Sequence, residues 1–151
     1  MIFNEIGVKR DLKEIIRYLK MAADLGDTEA AYKYGFILID VEGEENKEEG
    51  MKYMKLAAEK NDEGGMFYYG YSLYVGKGIK QDKNEGLRYI KKSFDKGFNE
   101  AINFYGSIYE KGIDVEKDEN EAVKYYKISA DKGFKKSIIN YTNLVYQGFG
   151  T

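Results

Sequence analysis

The chain has 151 residues, with 24 Lys and Arg against 26 Asp and Glu and a formal net charge of −2. That balance argues against a general phosphate-backbone binder, which needs a clustered basic excess. With neither Cys nor His, there is no disulfide framework, thiolate nucleophile or zinc–thiolate site, and no imidazole to serve as general base or metal ligand.

Charged residues make up 33 % and mean hydropathy is −0.60, ordinary for a soluble protein. No apolar run approaches the ~20 residues of a membrane span. The opening MIFNEIGVKR has no apolar core of a signal peptide, so a cytoplasmic location is the default expectation. There is no Pro and there are 17 Gly, which suits a helix-rich chain whose every backbone position can donate.

Residues 1–10 read as the tail of a loop, with Val8 in register with Ile79 and Val115 of later loops. A helix over 11–25 follows, with Leu12, Ile15, Ile16, Leu19, Ala22 and Ala23 on one face. Gly26 ends it, since Gly takes the left-handed conformation at little cost. The next helix starts near Thr28, and its counterparts start near Glu63, Asn99 and Lys135. These carry Tyr34-Gly35, Tyr69-Gly70 and Tyr105-Gly106, replaced by Tyr141-Thr142 in the last copy. Gly inside a helix costs about 1 kcal/mol against Ala, so the glycines predict close approach by a neighbouring helix. Small residues four positions earlier, Ala30, Gly65, Ala101 and Ser137, predict the same.

The intervening helices open on Asp11…Glu14, Asn46…Glu49, Asp82…Glu85 and Asp118…Glu121. This spacing predicts a capping box in each copy. The connecting loops YVGKGIKQD and EKGIDVEKD turn on Gly76, Gly78 and Gly112 and tuck Ile79 and Val115 inward. The first loop, DVEGEENKEE, is shorter and more acidic, and is expected to be the most mobile. The chain starts and stops inside a repeat. Its last helix carries Ile138, Ile139, Leu144 and Val145 with no later helix to cover them.

Laying Gly133 over Gly97, Asn61 and Gly26 brings Tyr141, Tyr105, Tyr69 and Tyr34 into register, and likewise Tyr125, Tyr89, Tyr53 and Tyr18. The resulting period of 35–36 residues marks a repeat array. One array over 1–151 is expected: a lone helix 11–25, repeats 27–61, 62–97 and 98–133, and a lone helix 134–147.

The third copy, with Ala101, Tyr105-Gly106, Ile108-Tyr109, Gly112, Val115, Asp118, Glu121-Ala122, Tyr125, Ala130 and Gly133, resembles the Sel-one-like repeat, a tetratricopeptide relative. It departs at Asp114, where the pattern has Gly, and at Ser129, where it has Ala. The second copy has Ser93-Phe94 for the Ala pair, and the first keeps Ala57-Ala58 but lacks the Gly-x-Gly loop. The resemblance implies an all-α fold, a right-handed α-solenoid of antiparallel helix pairs with about seven to eight helices. It also implies an adaptor that holds protein complexes together.

In such arrays the first helix of each pair lines the concave face. Counting from the Tyr-Gly landmark, its columns hold Tyr32, Phe67, Asn103 and Ile139; then Phe36, Tyr71, Ser107 and Asn143; then Ile39, Tyr74, Glu110 and Tyr146. The N-terminal half of the groove is aromatic and the C-terminal half mostly polar. Phe36, Tyr71 and Tyr74 are expected to form one exposed patch suited to anchoring a partner; the competing expectation is that these rings fill gaps between helices.

Asp114, Glu116 and Asp118 alternate as in part of a calcium loop, but the required Gly and the bidentate Glu are missing. Gly76-Lys77-Gly78 is not followed by the Lys-Ser/Thr of a phosphate cradle. Neither an enzyme nor any cofactor or metal is expected. The expected function is a protein–protein interaction scaffold holding a protein or peptide on its concave face, with no nucleic acid or membrane partner, and with end-to-end self-association open to the uncapped last helix. The alternative is a spacer segment of a longer regulatory protein, with no binding site of its own.

Overall fold

Left-handed residues punctuate the chain and set its layout. The computed structural model describes residues 5–40 and 46–151, with side chains from Asp11 onward. Gly26, Gly97 and Gly133 have φ of 100°, 82° and 84°, and Asn61 stands in register with φ 61°; Asn is among the few side chains that tolerate this region. Gly78 (φ 77°) has its counterpart in Asp114 (φ 58°). The departure from Gly at 114 therefore keeps the loop geometry.

Between these marks lie α1 (Glu5–Asp24), α2 (Thr28–Asp40), α3 (Lys47–Glu59), α4 (Glu63–Val75), α5 (Lys83–Asp95), α6 (Asn99–Lys111), α7 (Glu119–Asp131) and α8 (Lys135–Tyr146). Among the described residues there are eight helices and no strand. Helix α1 begins before the expected start at Asp11: residues 5–10 are helical, not a loop tail. Residues 41–45 of the loop expected to be most mobile lie outside the described residues.

The chain divides into two units, Met1–Ser93 and Phe94–Thr151. In the first, α1 packs on α2, α2 on α3, α3 on α4, and α2 also on α4. In the second, α6 packs on α7 and α7 on α8. The glycines make the crossings possible. A Cβ on Gly70 would lie 2.8 Å from the Gly86 carbonyl oxygen, and one on Gly86 would lie 2.7 Å from the Gly70 oxygen. Gly70 faces Tyr89 and Ile90, whereas Gly86 faces Tyr74 one turn further on; the reversed order makes the pair antiparallel. Gly35 and Gly50 oppose each other in the same way. In the second unit Gly106 lies under the Tyr126 ring, 2.5 Å from where its Cβ would stand.

Serines close the other end of two pairs. Ser93 donates to the Glu63 carbonyl at 2.7 Å, and Ser129 reaches the Asn99 carbonyl at 3.5 Å and Asn99 Oδ1 at 3.2 Å. Both serines are fully buried, so the departures from Ala are polar clasps. Ile79 tucks against a core of Ile39, Met51, Met54, Ala58, Met66, Tyr69 and Leu73. Leu144 and Val145, expected to lie uncovered, pack with Phe149 and Tyr141 against α7 residues Ala122, Val123 and Tyr126. Ile138 and Ile139 stay exposed.

Two of the four expected caps form. Asp82 accepts from the Glu85 amide and Asp118 from the Glu121 amide, each at 3.0 Å. Asp11 is inside α1 and caps nothing, and Asn46 makes no side-chain cap bond. The glutamates point elsewhere, Glu85 to Arg88 and Glu121 to Lys124. Two caps appear on the first helices instead, where Asp27 accepts from Ala30 at 2.7 Å and Asp62 from Gly65 at 2.8 Å.

A buried tyrosine, Tyr34, and a half-buried one, Tyr105, make the fold sensitive to alkali. Burial, and then the bond to Glu49, pushes the Tyr34 hydroxyl up to about 12; burial first, then Tyr125, does the same to Tyr105. An unfolded tyrosine titrates near 10. The unfolded chain thus releases these protons first, and the stability they contribute is complete below pH ~10 and lost as pH rises towards ~12. Thermal melting between pH 8 and pH 12, with absorbance at 295 nm for tyrosinate, should show midpoints falling steeply within that window. A melting point unchanged to pH ~12 would contradict it.

Candidate functional site

The first-helix face of the N-terminal unit is an aromatic seam between α2 and α4. Tyr32 stacks on Tyr68, with centroids 5.4 Å apart and planes at 15°. Its ring fits because Gly64 has no Cβ, which would fall 2.5 Å from the ring. Phe36 tilts against Tyr68 at 5.1 Å, Phe67 meets Tyr68 edge-on at 5.2 Å, and Phe67 stacks with Tyr71 at 5.9 Å. Phe67 is buried and Tyr32 half-buried, while Phe36 and Tyr71 stay 41 % and 40 % exposed.

Tyr74, the third member of the expected patch, is only 8 % exposed. At 100° per residue, the step from 71 to 74 turns the side chain 60° back, towards α5. There its backbone meets Gly86 and Lys83 Nζ lies 5.5 Å from its ring. Ile39 is buried for the same reason. In the first unit the third column, Ile39 and Tyr74, therefore belongs to the pair interior, and the exposed patch is Phe36 and Tyr71 on a base of Tyr32, Phe67 and Tyr68. Tyr68 and Gly64 were missed by column counting; the doubled Gly64-Gly65 at a helix start was the available signal.

In the second unit the same seam is made of amides. Asn103, at the repeat position of Tyr32, is 8 % exposed. Its Oδ1 accepts from Ser137 Oγ at 2.9 Å and from Asn140 Nδ2 at 3.1 Å. Ser107 is half-buried and donates to the Phe104 carbonyl at 2.9 Å, and Asn143 is exposed. Glu110 takes the Tyr126 hydroxyl at 2.6 Å, and Tyr146 projects from the end of α8, 93 % exposed.

Charge gathers elsewhere, where α1, α2 and α3 meet. Lys20 donates to Glu49 Oε1 at 2.7 Å, the Tyr34 hydroxyl donates to the same oxygen at 2.9 Å, and Tyr53 donates to Asp24 at 2.5 Å. The bond from Lys20, and then that from Tyr34, holds the Glu49 carboxyl below its usual range. Glu85 and Glu119 are also lowered, by Arg88 and Lys117; a general acid needs the opposite shift. A surface groove of ≈ 520 Å³ lies beside Tyr53, Leu56 and Lys52 and includes none of the aromatic-seam residues. Among the described residues no group of three or more His, Cys, Asp or Glu could hold a metal ion, and no helix is long and apolar enough to cross a membrane.

A family model described as Sel1 repeat matches residues 64–98 and 99–134. A model of plant tetratrico peptide repeats matches residues 5–68. No curated protein matches the chain. Among solved structures, a Sel1 repeat protein from Oxalobacter formigenes is similar at TM-score 0.71 and 29 % identity, over 95 % of this chain and 60 % of that one. The protective antigen c5321, present in uropathogenic Escherichia coli strains and displaying an SLR fold, is similar at TM-score 0.63 and 24 % identity, over 87 % of this chain and 32 % of that one. Cysteine rich protein B of Helicobacter pylori gives TM-score 0.59 at 24 % identity, over 87 % of this chain and 95 % of that one. The chain thus spans 60 % of the length of the Oxalobacter protein. The Sel1 repeat fold generally mediates protein–protein interactions, and proteins built of it are typically non-enzymatic scaffolds. The chain carries Sel1 repeats and has the tetratricopeptide-like helical fold of the Sel1 repeat proteins.

Proposed function

We propose that the chain is a protein–protein interaction scaffold that holds a protein or peptide on the face formed by its first helices, with Phe36 and Tyr71 as anchors. The observation that carries this reading is that two large rings remain about two-fifths exposed while their inner edges are fixed by Tyr68 and Phe67. Rigid aromatic groups of this kind lose little conformational freedom on binding and are frequent hot spots. Asn103, Ser107 and Asn143, on the first helices of the second unit, are the polar counterparts of these columns.

The test is affinity capture from source-cell lysate read by mass spectrometry, with wild type beside Phe36→Ala/Tyr71→Ala. Both are first shown to be equally helical. A partner held by wild type and reduced at least about tenfold in the variant is expected, since two hot-spot truncations cost more than ~1.4 kcal/mol. A partner held equally by both removes the aromatic face from the proposal, and no partner at all favours the spacer alternative. Self-association through the exposed Ile138, Ile139 and Tyr146 of α8 is read in the same samples, as a sedimenting mass above 17.4 kDa that falls on dilution. A single species of one-chain mass at every concentration removes it.

A further inference from the structure

Three side chains of α3 give the groove beside Tyr53 its character. Lys52, Leu56 and Lys60 all line it. Their four-residue spacing puts them on one stripe of the helix, with Lys60 at its C-cap. Leu56 is 39 % exposed, and with Ala23 of α1 and the Tyr53 ring it makes an apolar floor. At 1.5 Å per residue the two lysines stand about 12 Å apart along the helix, one at each end of that floor. Later copies carry other residues here. Lys92 takes the position of Leu56 and lies over the Tyr89 ring at 5.6 Å. Phe94 takes the position of Ala23 and meets the Tyr125 ring edge-on at 5.7 Å.

The acids of the groove are already engaged. Asp24 accepts from the Tyr53 hydroxyl at 2.5 Å, and Glu59 pairs with Lys55 at 3.8 Å. Glu49, one turn before Lys52, is held by Lys20 and Tyr34. Among the described residues the Lys52 and Lys60 ammonium groups form no ion pair or hydrogen bond. A cation past a helix C-terminus offsets the exposed carbonyls, which accounts for Lys60 but not for Lys52 in mid-helix. From this arrangement we infer that the groove between α1 and α3 binds a small linear dianion with an apolar middle. An α,ω-dicarboxylate long enough to span the ~12 Å between the lysines is the class it fits. The chain lies along Leu56, Tyr53 and Ala23, and one carboxylate meets each lysine. A single exposed ion pair is worth little, so selectivity comes from two such pairs held at the span of the buried chain. The site is independent of the aromatic anchors, none of which lines the groove.

The probes are decanedioate, decanoate and succinate, each titrated to about 10 mM at low ionic strength, where exposed ion pairs are least screened, against uniformly ¹⁵N-labelled full chain. Amide resonances of residues 52–60 are expected to shift saturably with decanedioate. Decanoate, with one anion, should bind about fivefold more weakly, and succinate, with both charges but no apolar middle, should leave them unmoved. Lys52→Met and Lys60→Met keep the stem and the helix. Each should weaken decanedioate about fivefold and erase its advantage over decanoate. Leu56→Gln should weaken both. All three positions are exposed, so the variants are expected to keep the wild-type helical signal at 222 nm. No shift over 52–60 at about 10 mM, decanoate or succinate matching decanedioate on wild type, or lysine variants that still prefer decanedioate would each overturn the inference. Loss of a captured partner in Phe36→Ala/Tyr71→Ala bears on the aromatic face alone.

Discussion

Gly70→Val should cost at least about 3 kcal/mol, beyond the usual range for added core methyls. The new Cβ would sit 2.8 Å from the Gly86 carbonyl oxygen and 2.8 Å from Tyr89 Cβ. The first of these is backbone, so relief requires α4 and α5 to separate. Even Gly70→Ala should destabilise, because the propensity gain of about 1 kcal/mol is smaller than the cost of moving a packed helix. Gly133→Ala is the control: its Cβ would meet nothing, and only the left-handed φ of 84° opposes it, at about 1 kcal/mol. Guanidinium unfolding followed at 222 nm ranks the three. A Gly70→Val midpoint at or above that of Gly133→Ala would refute close helix approach as the reason for the glycine.

The second large effect is expected at Tyr126. Its side chain is fully buried, fills the space under Gly106, and anchors its hydroxyl on Glu110. Tyr126→Ala should cost about 3–5 kcal/mol, as large aromatic truncations do. Tyr126→Phe keeps the ring and frees a half-buried Glu110 to meet water, so about 1 kcal/mol is expected. The two variants separate packing from hydrogen bonding: if Phe costs as much as Ala, the bond to Glu110 and not the ring holds α6 to α7.

The repeat made most of the fold legible. Periodicity located every first-helix start, from Thr28 to Lys135, and the residues in left-handed conformation, because both depend on local chemistry repeated in register. The crossing partners Gly50 and Gly86 were less visible. They sit in amphipathic helices where one glycine looks like any other, and only the facing Gly35 and Gly70 give them meaning. Capping was half legible. An Asp followed by Glu three residues on reads the same at Asp11 and Asp82, but the first lies inside a helix that starts earlier. In the site, Phe36 and Tyr71 could be read as outward-facing, whereas Tyr74 could not be read as buried from a column count that ignored the 60° rotation. The amide seam depends on contacts between side chains 34 and 37 residues apart, which no local pattern announces.

The serine clasps bear on how such an array can diversify. Each ties the last turn of a pair to its first turn, at the end away from the connecting loop, and the glycine crossing pins the middle. The crossing of each pair is therefore set by contacts within its helices, while Ile79 ties the α4–α5 loop to the core beneath it. Insertions between α6 and α7, or in the α4–α5 loop where they leave Ile79 seated, can lengthen the chain there and keep the helix crossing intact, since added loop length costs closure entropy only logarithmically. The connecting loop of a helix pair is thus where new sequence can be admitted and tried without renegotiating the frame.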